Sequence, residues 1–355
     1  MKQKLCIVGS GWRGQFILKV ARLLEDRFDV GGIVTRDAQK AQMLRERYSV
    51  AVYSDYLDMV RTEKPDFVCV AASTKACAQI AAELCKTGMP VLMETAYLEN
   101  LTQMLEFYDA AGKTPFAFME QYHLQPMQQA RLAIAQSGLI GGVFEAQISL
   151  AQCYHGISVM RKFLDTGFAP VTIRAKEFQG RLIAGPGRGG DPEKEEIQPD
   201  PQTLAWFDFG DKLGVFDNSK GQIRSWVRSQ RTLVYGERGE INGDQLRYLD
   251  NLTTPMTSTI ARYQIGQGEC LEGIGFKTIQ AAGRVWYQNP FEKRPLIDDE
   301  IAVGSCLVKM GQYVAGGSCF YSLAQGLEDQ YLSRLMEQAA QQDGAVVSQR
   351  QRWAQ

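Results

Sequence analysis

The stretch Gly9-Ser10-Gly11-Trp12-Arg13-Gly14 decides the fold of the first part of the chain. It lies between the apolar run Leu5-Cys6-Ile7-Val8 and the segment Phe16-Ile17-Leu18-Lys19-Val20-Ala21, so it predicts a buried strand, a glycine turn and a helix. In such a G-x-G-x-x-G turn the first glycine makes the tight turn, the second lets the backbone approach a phosphate, and the third lets helix and strand pack closely. Backbone N–H groups and the positive end of the helix dipole then point at one place, which suits a pyrophosphate. The six residues of this turn are therefore predicted to bind a dinucleotide.

Length and composition narrow the classes of partner. A chain of 355 residues favours two domains, each able to bury a core. Lys and Arg (39) balance Asp and Glu (40) without a long run of one sign, so we expect a small-molecule ligand and neither a nucleic-acid nor a membrane partner. The opening residues pass straight into the first strand, which leaves no room for a signal peptide, and we expect a cytoplasmic protein.

Cysteine and histidine usage predicts neither disulfides nor a metal site. The eight cysteines include no C-x-x-C pair, and Cys6, Cys69 and Cys85 lie inside apolar segments. Only two histidines, His123 and His155, are present. We therefore expect reduced core cysteines and no bound metal.

The second strand-helix step bears on the choice of cofactor. Val30 to Val34 reads as a strand, and Asp37 is a plausible N-cap for a helix from Ala38 to Tyr48. An acidic residue near the end of this strand usually holds the ribose hydroxyls of NAD, but Thr35 and Arg36 stand there. A hydroxyl and a guanidinium suit a 2′-phosphate, so NADP is the preferred cofactor, with NAD second. The alternative is that Arg36 is a solvated surface residue and Asp37 takes the ribose.

Further strands complete a doubly wound parallel sheet over residues 1–121. An apolar run at residues 67–72 is typical of a central parallel strand, and two more strands are predicted at residues 91–93 and 116–118, which locates five strands of an expected six-stranded sheet with helices between them. Ligands collect at the carboxyl ends of such strands. The residues predicted to stand there and line the cofactor site are Ala72, Ser73, Thr74, Glu94 and Thr95.

The regular alternation of strand and helix ends near Gln121. We therefore predict a second domain over residues 122–355, α+β in class with a large, mainly antiparallel open sheet. A Gly/Pro-rich charged loop is expected from Gly180 to Pro201, long enough for a lid or an oligomer arm. The other predicted elements are helices at 126–136 and 157–164, strands at 144–150 and 171–178, hairpins within 203–217 and 232–241, and a helical tail at 298–340 broken at Gly316-Gly317.

Taken together, four segments resemble the glucose-fructose oxidoreductase / inositol dehydrogenase (Gfo/Idh/MocA) family of NAD(P)-dependent oxidoreductases. The segments are Gly9 to Gly14, Thr87-Gly88-Met89-Pro90-Val91-Leu92-Met93-Glu94, the helix from Pro126 leading to Gly138-Leu139-Ile140-Gly141, and Val234-Tyr235-Gly236-Glu237-Arg238-Gly239-Glu240-Ile241. The resemblance covers nearly the whole chain. It implies a Rossmann domain for the cofactor, and a second domain whose open sheet faces the nicotinamide and makes subunit contacts. A homo-oligomer, a dimer or tetramer formed through that sheet, is the expected assembly.

The departures from the family pattern fall on the catalytic residues. Where the family has Glu-Lys-Pro, this chain has Glu94-Thr95-Ala96, so the lysine that usually touches the reacting hydroxyl is absent. Where it often has Asp-x-Gly-x-His-x-x-Asp, the stretch from Ala151 to Ser158 keeps His155 and lacks both acids. The usual histidine after the third-strand proline is also missing, since Ser73-Thr74-Lys75-Ala76 occupies that turn.

His155 is the family-matched candidate for the acid or base that hydride transfer needs. It is predicted to lie just before a helix, with Tyr154 as a possible hydrogen-bond partner. Tyr122 and His123, at the predicted domain junction, are expected to contact substrate or simply to pack there. Lys75 is an alternative to the missing lysine, or a surface residue at a helix start.

Two functions stay open at this level. One is an oxidoreductase acting on a sugar, cyclitol or related alcohol or carbonyl compound. The other is a cofactor-binding sensor or regulator on the same fold, which the absence of a lysine at Thr95 favours. Arg13 and Trp12 are expected beside the pyrophosphate, and Glu94 near the nicotinamide ribose.

Overall fold

The computed structural model describes residues 2–94, 98–267 and 270–354, with side chains for all of these except 74–75, 267 and 270–275. The strands are Gln3–Val8 (β1), Phe28–Val34 (β2), Val52–Tyr53 (β3), Phe67–Val70 (β4), Val91–Met93 (β5), Phe116–Phe118 (β6), Val143–Ser149 (β7), Thr172–Ile183 (β8), Ile197–Asp208 (β9), Leu213–Ser219 (β10), Arg231–Gly236 (β11), Gly239–Asn242 (β12), Gln245–Leu249 (β13), Pro255–Thr259 (β14), Ala261–Gln267 (β15), Cys270–Ala281 (β16), Arg284–Gln288 (β17) and Ala345–Val347 (β18). The helices are Trp12–Leu23 (α1), Ala38–Tyr48 (α2), Tyr56–Glu63 (α3), Thr74–Lys86 (α4), Leu101–Ala111 (α5), Pro126–Gln136 (α6), Cys153–Leu164 (α7), Asp298–Val314 (α8) and Leu323–Gln342 (α9).

The chain packs as two compact units, Met1–Leu124 with Leu296–Leu327, and Gln125–Pro295 with Glu328–Gln355. This division differs from the predicted bounds, because the chain returns to the first unit after residue 295. The returning helix α8 packs against α1 and β4 and buries Ile301, Cys306 and Met310 completely. A single cut near residue 121 therefore does not describe the first unit.

The first unit is a parallel sheet of six strands in the order β3-β2-β1-β4-β5-β6, as predicted for a doubly wound fold. Its central strand β4 is buried along its whole length, which is why it reads as a continuous apolar run. Asp37 caps α2 as predicted, accepting hydrogen bonds from the backbone N–H groups of Gln39 and Lys40, both at 3.0 Å.

The second unit is built on a nine-stranded sheet in the order β14-β13-β12-β11-β7-β10-β9-β8-β18, with β15, β16 and β17 in a separate three-stranded sheet. Its pairs are antiparallel except β7 with β10, which confirms the predicted α+β class. Helix α7 covers β7 and β10 on one face. On β9, Ala205 and Phe207 are buried while Trp206 is 54% exposed, so the opposite face of the large sheet is open in the chain.

The prediction of a loop from Gly180 to Pro201 was wrong at both ends. Strands β8 and β9 pair from Thr172 with Asp208 to Ile183 with Ile197, so residues 180–183 and 197–201 belong to an antiparallel hairpin and the loop is only residues 184–196. Pro199 and Pro201 caused the misreading, since proline in a strand usually argues against it. Pairing of β9 with β10 ends at Gln202, so the two prolines lie where the second edge of β9 carries no ladder to interrupt.

Candidate functional site

The first unit places a crevice where its strand order reverses, between β1 and β4. In open parallel sheets, ligands bind outside the carboxyl ends of the strands at this switch point. Gly9 follows β1 with φ +115°, and a Cβ there would lie 2.3 Å from the carbonyl oxygen of Ala71, which follows β4. The two connections therefore meet at the crevice, and only glycine allows that contact.

The other two glycines of the turn have different surroundings. A Cβ at Gly14 would lie 1.9 Å from the carbonyl oxygen of Gly9, so Gly14 permits the close packing of helix and turn. A Cβ at Gly11 would meet no atom within 4 Å. Gly11 is the N-cap of α1, no side chain caps the helix, and its first turn holds no acidic residue. The open space and the helix N-terminus fit a dinucleotide pyrophosphate.

The predicted ribose-binding residues come together at the ends of β1 and β2. Ser10 Oγ donates a hydrogen bond to Thr35 Oγ1 over 2.8 Å. Arg36 is exposed and forms no ion pair with any described residue. One carboxylate oxygen of Asp37 caps α2 and the other lies 3.8 Å from Lys40 Nζ, so Asp37 pairs with Lys40 and not with Arg36. Trp12 is half exposed and stacks on Phe16 with ring centroids 5.6 Å apart.

The residues after β4 and β5 are only partly described. Ala72 follows β4, and Ser73 is the N-cap of α4 without a side-chain cap hydrogen bond. The side chains of Thr74 and Lys75 lie outside the described part of the chain, and so does Thr95, which the resemblance aligns with the missing lysine. Glu94 directly follows β5, at the carboxyl end predicted for it.

The guanidinium of Arg13, expected beside the pyrophosphate, is hydrogen-bonded instead to residues that follow β5 and β6. Its Nε donates to Glu94 Oε1 at 2.6 Å, and its Nη2 donates to Gln121 Oε1. The side chains of Arg13 and Glu94 are 14% and 19% exposed. Burial alone would lower the pKa of the Arg13 guanidinium, but the charge of Glu94 and its hydrogen bond outweigh burial and raise that pKa. The guanidinium thus joins the glycine turn to the ends of β5 and β6.

Sequence reasoning missed two polar residues at this edge, Glu120 and Gln121. Both are buried, with Glu120 1% exposed, and Glu120 Oε1 accepts a hydrogen bond from the backbone N–H of Tyr122 at 3.2 Å. The signal that identifies them is their position, since polar residues directly after a buried parallel strand stand at the ligand edge of the sheet.

Tyr122 and His123 lie in a short 3₁₀ turn, Tyr122–Leu124, of the first unit. Burial, and next the charge of Glu120, raise the pKa of the Tyr122 phenol well above its ordinary value, so this hydroxyl stays protonated near neutrality. His123 is 5% exposed and its ring lies 5.1 Å from that of Tyr321.

His155 belongs to the second unit, in the first turn of α7, and not just before a helix as predicted. The helix begins two residues earlier, after Gln152, whose side chain donates to the carbonyl of Lys220 at 2.8 Å and so fixes this end of α7. The ring of Tyr154 lies 4.3 Å from that of His155, at 48°. Both rings are half-buried, so the imidazole is open to solvent on one side.

The described ranges contain neither a metal-binding cluster nor a helix able to span a bilayer. Within these ranges, no group of three or more His, Cys, Asp or Glu side chains is placed to hold a metal ion. None of the helices in the same ranges has the length and apolar character needed to cross a bilayer.

The first third of the chain matches a known protein family. Residues 3–130 match the model of the Gfo/Idh/MocA oxidoreductase family, described as its NAD-binding Rossmann fold. A search of curated protein sequences found no match.

Solved structures match the whole chain at low identity. An oxidoreductase from Agrobacterium radiobacter, in complex with NAD⁺, L-tartaric acid and magnesium, is 15% identical with a TM-score of 0.71, and 98% of each chain is covered. A myo-inositol dehydrogenase from Corynebacterium glutamicum is 14% identical with a TM-score of 0.68, covering 98% of this chain and 99% of that one. A levoglucosan dehydrogenase in complex with NADH and L-sorbose is 14% identical with a TM-score of 0.71 and the same coverage. Residues 3–130 are therefore similar to the NAD-binding Rossmann domain of the Gfo/Idh/MocA oxidoreductase family, and the whole chain has a fold similar to these solved structures.

Proposed function

We propose that this protein is an NAD(P)-dependent oxidoreductase that transfers a hydride to or from a sugar, cyclitol or related small alcohol or carbonyl compound. The observation that carries the proposal is the glycine turn at the switch point, with Gly9 and Gly14 closed by backbone contacts and Gly11 open. The substrate class comes from the inositol and levoglucosan dehydrogenases with the same fold. When bound, the cofactor supplies the hydride chemistry.

Different residues of the chain bind the cofactor and exchange the proton in the proposed reaction. Gly11 and the N-terminus of α1 hold the pyrophosphate, and Ser10 with Thr35 forms the wall on which the adenosine ribose rests. Arg36, exposed and unpaired among the described residues, pairs with a 2′-phosphate, which makes NADP the preferred cofactor over NAD. His155 exchanges the proton that accompanies hydride transfer, because Thr95 offers no ionisable group where the family has lysine.

The cofactor half of the proposal is tested by titrating the purified protein with NADPH and NADH and following nicotinamide fluorescence. Tighter binding of NADPH is expected. The reaction is then sought by screening polyols with NADP⁺ and keto-sugars with NADPH, following the absorbance of the reduced cofactor. Binding of neither cofactor would contradict the whole proposal, whereas tighter binding of NADH would contradict only the assigned preference.

A second candidate is a sensor or regulator that binds NAD(P) without dehydrogenase activity. It is favoured by the lost lysine at Thr95 and by the two lost acids at Ala151 and Ser158. The two candidates separate in the same screen, since a sensor binds the cofactor and turns over none of the polyols and keto-sugars offered.

Assembly and location are further parts of the proposal. The open face of the nine-stranded sheet carries Trp206 and Leu204, 54% and 40% exposed, and such an apolar face suits contact with a second copy of the chain. A dimer or tetramer is the proposed state, to be measured by light scattering. The described cysteines are unpaired thiols, most of them buried, which suits the reducing cytoplasm.

A further inference from the structure

Arg13 belongs to the glycine turn in the sequence, but its guanidinium contacts residues that follow strands β5 and β6. Its Nε and Nη2 donate to Glu94 and Gln121, at the ends of β5 and β6. Its guanidinium carbon lies 5.8 Å from the ring centroid of Trp12 and 5.5 Å from that of Phe16. Pairing with a pyrophosphate would break a buried ion pair and leave Glu94 without its partner, which is strongly unfavourable.

The same contact fixes the carboxylate of Glu94. Oε1 accepts the hydrogen bond from Arg13, whereas Oε2 accepts none from any described residue. The Glu94 side chain keeps 19% of its exposure, so the carboxylate is held in place but reachable. Arginine stays charged at every physiological pH, so Arg13 donates this hydrogen bond throughout that range. A fixed carboxylate oxygen at the end of β5 is an acceptor for a hydroxyl group.

We propose that Arg13 is a positioning residue that acts through Glu94: it holds Glu94 so that Oε2 accepts a hydrogen bond from the ribose on the nicotinamide side of the cofactor, and it does not contact the pyrophosphate. The inference rests on the proposed dinucleotide site. It assigns different parts of the same ligand to two neighbouring residues of the glycine turn, the pyrophosphate to Gly11 and the second ribose, through Glu94, to Arg13.

A series of truncated ligands tests this assignment without any substrate. NADH and ADP-ribose carry the second ribose, and ADP lacks it. In calorimetric titrations, Arg13→Met is expected to weaken NADH and ADP-ribose by about tenfold or more, the effect of one charge-assisted hydrogen bond, and to leave ADP within about twofold. Arg22→Met, an exposed arginine on the same helix, is the matched control and should change none of the three affinities.

A double-mutant cycle shows whether Arg13 acts through Glu94. If it does, Arg13→Met combined with Glu94→Gln binds NADH no more weakly than Glu94→Gln alone. The double variant also leaves no unpaired buried charge, so it remains measurable if Arg13→Met alone fails to fold. Arg13→Lys, which keeps a charge beside Glu94, should recover part of the NADH affinity.

Several results would overturn the assignment. An equal loss of ADP and NADH affinity in Arg13→Met would show that Arg13 touches the pyrophosphate. Unchanged NADH affinity in the folded variant, or additive losses in the cycle, would show that Arg13 does not act through Glu94. A wild-type protein that binds neither ADP nor NADH would instead refute the dinucleotide site itself, and this inference with it.

Discussion

The glycine turn of the first unit and the first turn of α7 in the second unit, the histidine turn that carries His155, both stand where the chain passes from a strand into a helix. In the glycine turn, Gly9 and Gly14 are required by close backbone contacts, and Gly11 faces open space at the helix N-terminus. In the histidine turn, His155 stands on α7 beside Tyr154, and its use depends on which side chains and substrate groups approach it. A site defined by backbone geometry can be recognised in a sequence, whereas a site defined by the surroundings of one side chain cannot.

The largest expected effect tests the histidine side of this comparison. His155→Ala should lower turnover on an identified substrate by about 10²- to 10⁴-fold with cofactor affinity nearly unchanged, because it removes the proton donor and leaves the first unit intact. Steady-state rates and cofactor titrations check this. Tyr154→Phe keeps the ring against His155 and serves as the matched variant. Full turnover in His155→Ala would show that the acid is another residue, with Tyr122, Tyr154 and Lys75 as the candidates. The wild-type protein, with threonine at position 95, should be active without the substitution Thr95→Lys.

The next effect tests the glycine side. Gly11→Val should weaken NADPH and NADH binding by about 100-fold or more, about 2.7 kcal/mol, because a branched side chain fills the space left for the pyrophosphate. No protein atom lies within 4 Å of the added Cβ, so the fold should persist, as measured by circular dichroism. Gly189→Val, also in open space, is the control. Normal cofactor binding by folded Gly11→Val would remove the basis of the proposed site.

A smaller effect concerns the specificity of that site. Arg36→Ala should weaken NADPH by about tenfold and NADH by less than about twofold, because the guanidinium is expected to face only the 2′-phosphate. The ratio of the two dissociation constants is the quantity to measure. An unchanged ratio would favour the alternative, in which the adenosine ribose is bound by Asp37, whose second carboxylate oxygen lies beside Lys40 at the surface.

The smallest effect is a pH dependence of stability within the second unit. Burial raises the pKa of Glu328 above 4.5, although the indole N–H of Trp353 and the charge of Arg161 lower it in part. A raised carboxyl pKa favours the protonated folded state, so this contribution is complete below 4.5 and is lost as the pH rises through the folded-state pKa. Glu328→Gln keeps the acceptor for Trp353 and should flatten that part of the curve of unfolding free energy against pH. A curve identical to the wild type's would contradict the raised pKa.

Much of the first unit could be predicted from the sequence because its elements are specified by residues that are close together in the chain. The buried run of β4, the cap at Asp37 and the glycine turn each arise from residues adjacent in sequence. Strand β3, Val52–Tyr53, was not located because two half-buried residues carry no periodicity. The return of α8 depends on contacts with α1 and β4, which lie far from it in the chain.

For the candidate site, the sequence predicted the positions of residues but not the directions of their side chains. Position at the end of a parallel strand predicted Glu94, and the structure places it there. The direction of Arg13 was not predictable, because the helix turn allows the guanidinium to point to the phosphate side or to Glu94, and the carboxylate decides. The start of α7 was missed because its N-cap, Gln152, provides no side-chain cap and Cys153 begins the helix at φ +48°.

The return of Leu296–Leu327 to the first unit also sets an order of events during synthesis. Residues up to 124 leave the ribosome first, but the faces of α1 and β4 that α8 covers stay uncovered until about two hundred more residues have been made. The nascent chain must therefore carry an incomplete cofactor unit while the large sheet is still being translated. A fragment that stops at residue 124 lacks the buried side chains of α8, so it should aggregate or require a chaperone where the full chain does not.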